Sequence, residues 1–352
     1  MRTFIAIMTR ILLALFMSYA TARGQNATLI TVEHSDRYEI KAKSVQIRNM
    51  RYVKLRINAH DKQELEYTTR ITATKEGLQR NFGDGKLYFS VQQDRGVLEF
   101  RPEKGQSVQP QEQTWIKSLF TKEVSPNRNI RVEKAEVSLM IPADIDLEVE
   151  SSYTDIWVKG MRHSLSILNR YGKVYVDDHL GEVRVEQQYG DMNITKMTGE
   201  LMVQSRYGKV DVQDHTGDMV LSTSYCKSTL TKAAEGGSMQ LTGNYSRFDV
   251  SSAANRLEFD GKYNTATIRV QPLEASGSVR INQSYSTIDL NLMTTAPIRY
   301  RYTNQFGSII DPMEEKSPGE QPVKDGLRSG GPTNARFELW ITNRNGTVKV
   351  KR

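Results

Sequence analysis

The sequence is nearly without cysteine: among its 352 residues only Cys226 carries a thiol. An intramolecular disulfide is therefore excluded. No cysteine stands near the N-terminus to accept a lipid, so the chain is expected not to be a lipoprotein. Charge of one sign is not concentrated either. The formal net charge is +7, but Arg2, Arg10 and Arg23 lie in a segment that reads as removable. The remaining Lys and Arg are interleaved with acids, so no phosphate-tracking stripe is present and nucleic acid is not an expected partner. Long hydrophobic runs are missing too: the longest, Ile11–Met17, falls well short of the ~20 residues that span a bilayer. No Gly-x-Ser-x-Gly, zinc or phosphate-loop motif occurs.

What the N-terminus does contain reads as a secretory signal. Arg2 and Arg10 give a positive flank, Ile11–Met17 an apolar stretch, and Ala20-Thr21-Ala22 a small-x-small cleavage site. Cleavage after Gly24 is the alternative, so the exported chain is expected to begin at Arg23 or Gln25. Export places it in the periplasm, at the cell surface or outside the cell, with no transmembrane segment after signal removal.

From residue 144 onward the sequence repeats. Units of nine residues follow the form slot-Gly-x-φ-x-φ, with φ apolar, as in Tyr171-Gly172-Lys173-Val174-Tyr175-Val176 and Leu180-Gly181-Glu182-Val183-Arg184-Val185. Every second slot is a tyrosine: Tyr153, Tyr171, Tyr189, Tyr207, Tyr225, Tyr245, Tyr263 and Tyr285. The true period is thus two unlike halves, 18 residues in all, as from Tyr153 to Tyr171. Each φ-x-φ triplet is a short strand with one buried face, and glycine after the slot permits a cramped corner. Such strands hold only by stacking on their equivalents. The expected fold is all-β: a parallel β-solenoid with 18-residue coils of two short strands, preceded by a β-rich N-terminal region. The tyrosines are expected to stack as a structural ladder along one edge, as core and corner residues and not as ligand contacts.

The expected organisation is a signal peptide over 1–24, a β-rich region over 25–143 with a polar insertion near 102–129, and the solenoid over 144–352. Within the β-rich region, Thr28–Glu33, Ser44–Arg48, Arg51–Ile57, Glu64–Thr74, Lys86–Gln92 and Val97–Arg101 read as strands. The apolar patch Trp115, Ile116, Leu119 and Phe120 reads as a turn or two of amphipathic helix, expected to form a flap over the open N-terminal end. Phe306 takes a tyrosine slot. Asp311 to Pro332 reads as a surface loop, after which Phe337–Leu339 and Thr347–Val350 are expected to close the solenoid.

Little of this sequence resembles a reaction centre. Cys226 sits in a turn slot with no adjacent base, so its thiol reads as structural. Asp178-His179 and Asp214-His215 share a corner two coils apart, ~9–10 Å by strand spacing, which is too wide for one metal ion. Among outward positions, Glu182, Glu186, Glu200 and Asp218 are interleaved with Arg184 and apolar residues, and Glu182 with Glu200 makes the kind of pair any polar coil face offers. No catalytic residue, metal ligand or cofactor is expected.

The stretch Ala135-Glu136-Val137-Ser138-Leu139-Met140-Ile141-Pro142, then Ile145–Val149 and the Tyr-Gly-x-Val-x-Val series, resembles the bacterial "putative adhesin" β-solenoid family. These are exported domains of unknown function, similar in style to the head domains of auto-transporter adhesins. The likeness covers roughly 130–352. It implies cell-surface adhesion, brings no binding residues to carry over, and departs from the family by placing tyrosine where small residues stand. The resulting expectation is an exported, non-catalytic scaffold, adhesin-like, whose partner is a glycan, an envelope component or a protein. An accessory module of envelope sensing or assembly is the alternative, and a polysaccharide-active β-helix enzyme a distant third.

Overall fold

Apolar residues at every second position make strands with one face turned inward, and in this protein nearly every segment follows that rule. A computed structural model describes residues 28–82, 87, 89–103, 132–274, 276–311 and 325–351. The expected leader and the Trp115–Phe120 patch lie outside the described residues. The described residues are all-β, joined in one long open sheet, apart from the short helix α1 (Lys75–Phe82).

The middle of the molecule is regular. Strand β8 (Asp146–Ser152) pairs in parallel with β10 (Leu165–Tyr171), and β10 with β12 (Val183–Tyr189). Between them in sequence, β9 (Asp155–Lys159) pairs with β11 (Val174–Leu180), and β11 with β13 (Met192–Thr198). The chain thus alternates between two rows of parallel strands, and facing residues such as Asp155 and Lys173 are 18 positions apart. The next strands, β14 (Leu201–Thr216) and β15 (Met219–Ala233), run through the tyrosine corner without a break and supply a strand to each row. Then β16 (Ser238–Asn244), β18 (Arg256–Lys262) and β20 (Gly277–Ser284) continue one row. The other is continued by β17 (Arg247–Ser252), β19 (Thr265–Val270) and β21 (Thr287–Leu292). Offsets grow to 20 between Cys226 and Ser246 and to 22 between Asn264 and Ser286.

The inward φ residues fill the space between the rows. Val174, Val176, Val183, Val185, Ile194 and Leu201 are each 0–1% exposed, and fully burying such a side chain contributes ~1.5–3 kcal/mol. Glycine after Tyr171, Tyr189 and Tyr207 is needed because the corners of these successive layers touch. A Cβ on Gly190 would lie 1.8 Å from the Gly172 carbonyl oxygen.

Both ends depart from chain order. Strands β2 (Ser44–Arg51) and β3 (Lys54–His60) pair directly with β8 and β9. Outside them lie β6 (Val97–Pro102) against β2 and β7 (Val132–Pro142) against β3. The expected break near 143 therefore does not separate two sheets. The same inward alternation explains it: Val45, Ile47, Leu55 and Ile57 are buried in line with the repeat. At the other end, β25 (Phe337–Arg344) lies between β20 and β22 (Ile298–Gln305), and β26 (Thr347–Lys351) between β21 and β23 (Ser308–Ile310). These strands were expected to close the stack; instead they form its penultimate layer, and β22 with β23 lies outside them.

Antiparallel strands cover the outer edges, where unpaired backbone would template another chain. β4 (Glu64–Thr74) pairs with β7 and β1 (Leu29–Glu39) with β4, while β5 (Phe89–Asp94) pairs with β6. At the far end β24 (Gly326–Gly330) pairs antiparallel with β22. Part of the segment expected to be a surface loop is thus an edge strand, because the exposed side of β22 offers it a ladder.

Candidate functional site

The corner between the two rows carries the tyrosines. Their rings stand one above another from Tyr153 to Tyr285, with neighbouring centroids 4.4–5.1 Å apart and planes within 4–13°. Tyr52 extends the column below Tyr153, 4.9 Å away at 20°. At ~4.8 Å per layer the column runs roughly 40 Å. Beyond Tyr285 the equivalent slot is filled by Asn345, whose N–H donates to Gln305, and Phe306 follows one layer further out. The column is not buried. Its tyrosines from Tyr189 onward are 42–52% exposed, so they are corner residues but not core residues. Ring faces are turned to ring faces; edges and phenol oxygens are left to meet solvent.

This arrangement carries backbone strain. Tyr52, Tyr153, Tyr207, Tyr225, Tyr245, Tyr263 and Tyr285 have φ between 51° and 57°, the left-handed region, which costs a bulky L-residue ~1–2 kcal/mol. At Tyr171 and Tyr189 the following glycines take the positive φ, 115° and 144°. Stacking contributes ~0.5–1.5 kcal/mol per ring pair, which offsets the strain but does not clearly exceed it. Local stability is therefore a weak reason for tyrosine here, since Asn or Gly would make the turn with less strain.

Beneath the rings lies a column of buried polar residues that satisfies the corner backbone. Asn169 donates to the Thr154 carbonyl (3.1 Å), Gln187 to that of Gly172 (2.8 Å), and Asn264 to that of Gly243 (2.8 Å). Cys226 belongs to this column, 5% exposed, with its thiol directed to the Ser224 carbonyl (3.3 Å) and Ser205 Oγ (3.6 Å).

Two columns flank the rings. The residue before each tyrosine is basic at Arg51, Arg170, Arg206 and Lys262, and otherwise Ser, Gln or Asn; no carboxylate occurs there. The residue two positions after each tyrosine alternates in sign at first. Lys54 faces Asp155, which faces Lys173, then Asp191, then Lys209. Asp155 and Asp191 each also accept the backbone N–H of the lysine in the next layer, at 2.9 and 3.3 Å. The alternation then stops: Lys209 faces Lys227, and Lys227 faces Arg247. A shallow open groove of ≈ 680 Å³ runs along this stretch, lined by Lys209, Lys227 and Arg247 together with Tyr225, Tyr245 and Tyr263.

The opposite edge holds the residues considered for a metal. Its left-handed slot passes through Gly160, Asp178, Lys196, Asp214 and Lys232. Lys232 pairs with Asp214 at 3.3 Å, and one position earlier Lys159 pairs with Asp177 at 3.0 Å. His179 and His215 point inward, 1% and 0% exposed, and Met197 stands between them in register. Burial lowers the pKa of both imidazoles. His215 donates from Nε2 to the Gly199 carbonyl (3.0 Å) while Nδ1 accepts the Ala234 N–H (3.2 Å), which fixes a neutral tautomer. Among the described residues no group of three or more His, Cys, Asp or Glu could hold a metal ion. Of the outward acids, Glu186 is held by Arg184 at 2.6 Å and Asp218 by Ser238 at 2.7 Å; Glu182 and Glu200 are exposed.

Sequence reading missed Tyr52 and the like-charged run. Tyr52 precedes Leu55 and Ile57 at the spacing by which Tyr171 precedes Val174 and Val176, but Val53 replaces the glycine and hid the match. The run emerges only when coils are laid side by side.

No protein-family model matches the chain, and no curated protein matches it. Among solved structures, it is similar to a "putative adhesin" from Parabacteroides distasonis, at 9% identity and a TM-score of 0.42 over 92% of this chain and 98% of that one. A "putative lipid binding protein" from the same organism is similar at 9% identity and a TM-score of 0.36, over 91% and 97%. A "putative cell adhesion protein" from Clostridium sporogenes gives 10% identity and a TM-score of 0.25, over 92% and 99%. At such identities and TM-scores these likenesses carry no argument about what this chain binds. No helix among the described residues is long and apolar enough to cross a membrane.

Proposed function

We propose that the chain is an exported, non-catalytic, adhesin-like scaffold: a parallel β-solenoid of two-strand coils, 18 residues where no insertion intervenes, that binds an elongated partner along its tyrosine edge. The 18-residue register offsets support the coil reading. One observation carries the functional reading: an unbroken column of stacked tyrosines, most of them half-exposed and seven of the nine held in strained backbone where smaller residues would fit with less strain. A rigid, straight ribbon of this kind presents one chemistry repeated at strand spacing, which suits a linear partner with repeating units.

The test keeps the fold and removes the rings. Asn tolerates the left-handed slot, and Asn345 already occupies one. The combined variant Tyr207→Asn, Tyr225→Asn and Tyr245→Asn is expected to remain folded by circular dichroism and to lose binding to glycans or envelope fractions captured by the unaltered protein. Undiminished capture by the folded variant would refute binding at this edge.

A further inference from the structure

We infer that the tyrosine edge between Tyr207 and Tyr263 is a binding site for a linear acidic glycan, a polymer of uronic acid, whose carboxylates are taken by Lys209, Lys227 and Arg247. The inference rests on the binding-edge reading above and names the ligand class for it. The starting point is a broken rule. Like charges facing each other on neighbouring strands repel and destabilise the pair, and further down this column acids stand between bases. Lys54, Asp155, Lys173, Asp191 and Lys209 alternate along the same column, and Lys232 with Asp214 and Arg269 with Asp249 pair elsewhere. Only from Lys209 to Arg247 does this column stack cations directly, all three exposed, and among the described residues none of them has an ion-pair partner. Of the carboxylates nearby, Asp249 is engaged by Arg269 at 3.1 Å, Asp191 lines the groove beside Lys209 and accepts its backbone N–H, and Asp211 stands at the next outward position; among the described residues none of the three forms an ion pair with Lys209, Lys227 or Arg247. Repulsion left standing between these three cations, beside a groove that the tyrosines help to line, calls for an anion from outside.

The rings narrow the anion's identity. An aromatic ring is negative over its face and positive at its edge. These faces are covered by one another, so the ribbon offers electropositive edges and phenol hydroxyls, which favour anionic oxygen and give a neutral sugar no open face to stack on. Single-stranded nucleic acid likewise needs free ring faces for its bases. An extended acidic peptide repeats same-face side chains every ~6.6 Å, twice the strand rise, out of step with cations on strands ~4.8 Å apart. A polyuronate carries one carboxylate on each pyranose ring with hydroxyls between, the two kinds of group that the cations and the phenol hydroxyls of the edge would take.

The full exported chain should bind polygalacturonate, with affinity falling as salt rises. Methyl-esterified polygalacturonate, which keeps the backbone and loses the charge, should bind about tenfold more weakly or worse. The decisive variant is Lys227→Asp, which restores alternation: its melting temperature should equal or exceed that of the unaltered protein, while polygalacturonate binding falls about tenfold or more. Lys232→Gln, on the opposite edge and paired there with Asp214, should bind as before. Equal binding of the ester and the acid, or of Lys227→Asp and the unaltered protein, would overturn the acidic-glycan inference while leaving a ligand-binding edge intact. Tighter binding of a single-stranded oligonucleotide than of polygalacturonate would overturn it in favour of nucleic acid. If neither polymer binds and the three-tyrosine Asn variant captures every partner that the unaltered protein does, both readings fall.

Discussion

At one edge of the stack the left-handed turn is made by Gly160, Asp178, Lys196, Asp214 and Lys232; at the other it is made by tyrosine. The first edge takes glycine, aspartate and lysine in that conformation, and its charges alternate in sign and pair across layers. The second stacks half-exposed aromatic rings there and leaves a run of cations facing one another. Both edges are built on the same strands and enclose the same core, so the difference does not come from the fold. What an edge needs in order to stand is visible on the Asp/Lys side. What the tyrosine side has beyond that, the stacked rings and the like-charged run, is what the fold does not require.

The largest effect of substitution should come from the strands common to both edges. Val183 is buried and Arg184, its neighbour, is exposed and paired with Glu186. Val183→Asp should cost roughly 4 kcal/mol or more, since it buries an unpaired charge, and Arg184→Asp far less. Equal denaturant midpoints for the two variants would put the inward register in error. At the tyrosine edge, Tyr207→Ala removes two ring contacts from a half-exposed site and should cost about 1–3 kcal/mol. Tyr207→Asn should cost less than Tyr207→Ala because Asn accepts the left-handed slot. Tyr285, with a ring on one side only, should tolerate alanine better than Tyr207; Tyr153, lying between Tyr52 and Tyr171, should not.

Acid should separate the edges next. His179 and His215 are buried behind the Asp/Lys edge, and burial lowers the pKa of each. An unfolded histidine titrates near about 6.5, so below that pH the unfolded chain binds protons that the folded chain refuses. Stability is then full above the unfolded value and falls as pH drops toward the lowered folded values. His179→Met, which repeats the residues above and below it, Met161 and Met197, should reduce that slope in pH-dependent thermal melts. An unchanged slope would show that the imidazoles are not the source. The smallest effect belongs to the surface: Lys232→Ala, which removes the exposed pair with Asp214, should shift stability by no more than about 0.5 kcal/mol.

The parts of this fold that were legible in the sequence are those that repeat locally. Alternation at φ-x-φ marks the buried face residue by residue, as at Val174, Val176, Val183 and Val185, because burial of a strand has a two-residue period. The spacing of Tyr153 through Tyr285 marked their common corner. Exposure of those rings was not legible, since a side chain at a left-handed corner points away from the alternation of the strands on either side. The ends were hidden for another reason. Strands β2, β3, β25 and β26 find partners far away in sequence, and nothing in Asn345 or Val53 announces which layer each will join. The like-charged run was written in the sequence, at 209, 227 and 247, but acquires meaning only when those coils lie on one another.

The interleaved ends also fix the order in which the molecule can be completed. A stack built in chain order could lock each layer as its strands form. Here the layer that seats against β20 and β21 is β25 with β26, which follows β22 and β23 in the chain. The pair that comes first in sequence must wait, and its docking site does not exist until β25 and β26 are in place. Cutting the chain before Phe337 therefore does not make a protein one layer shorter; it strips β22 and β23 of their parallel partners among the described strands and leaves the sides of β20 and β21 bare. The stretch from Phe337 to Lys351 thus works as a latch on layers that precede it in sequence.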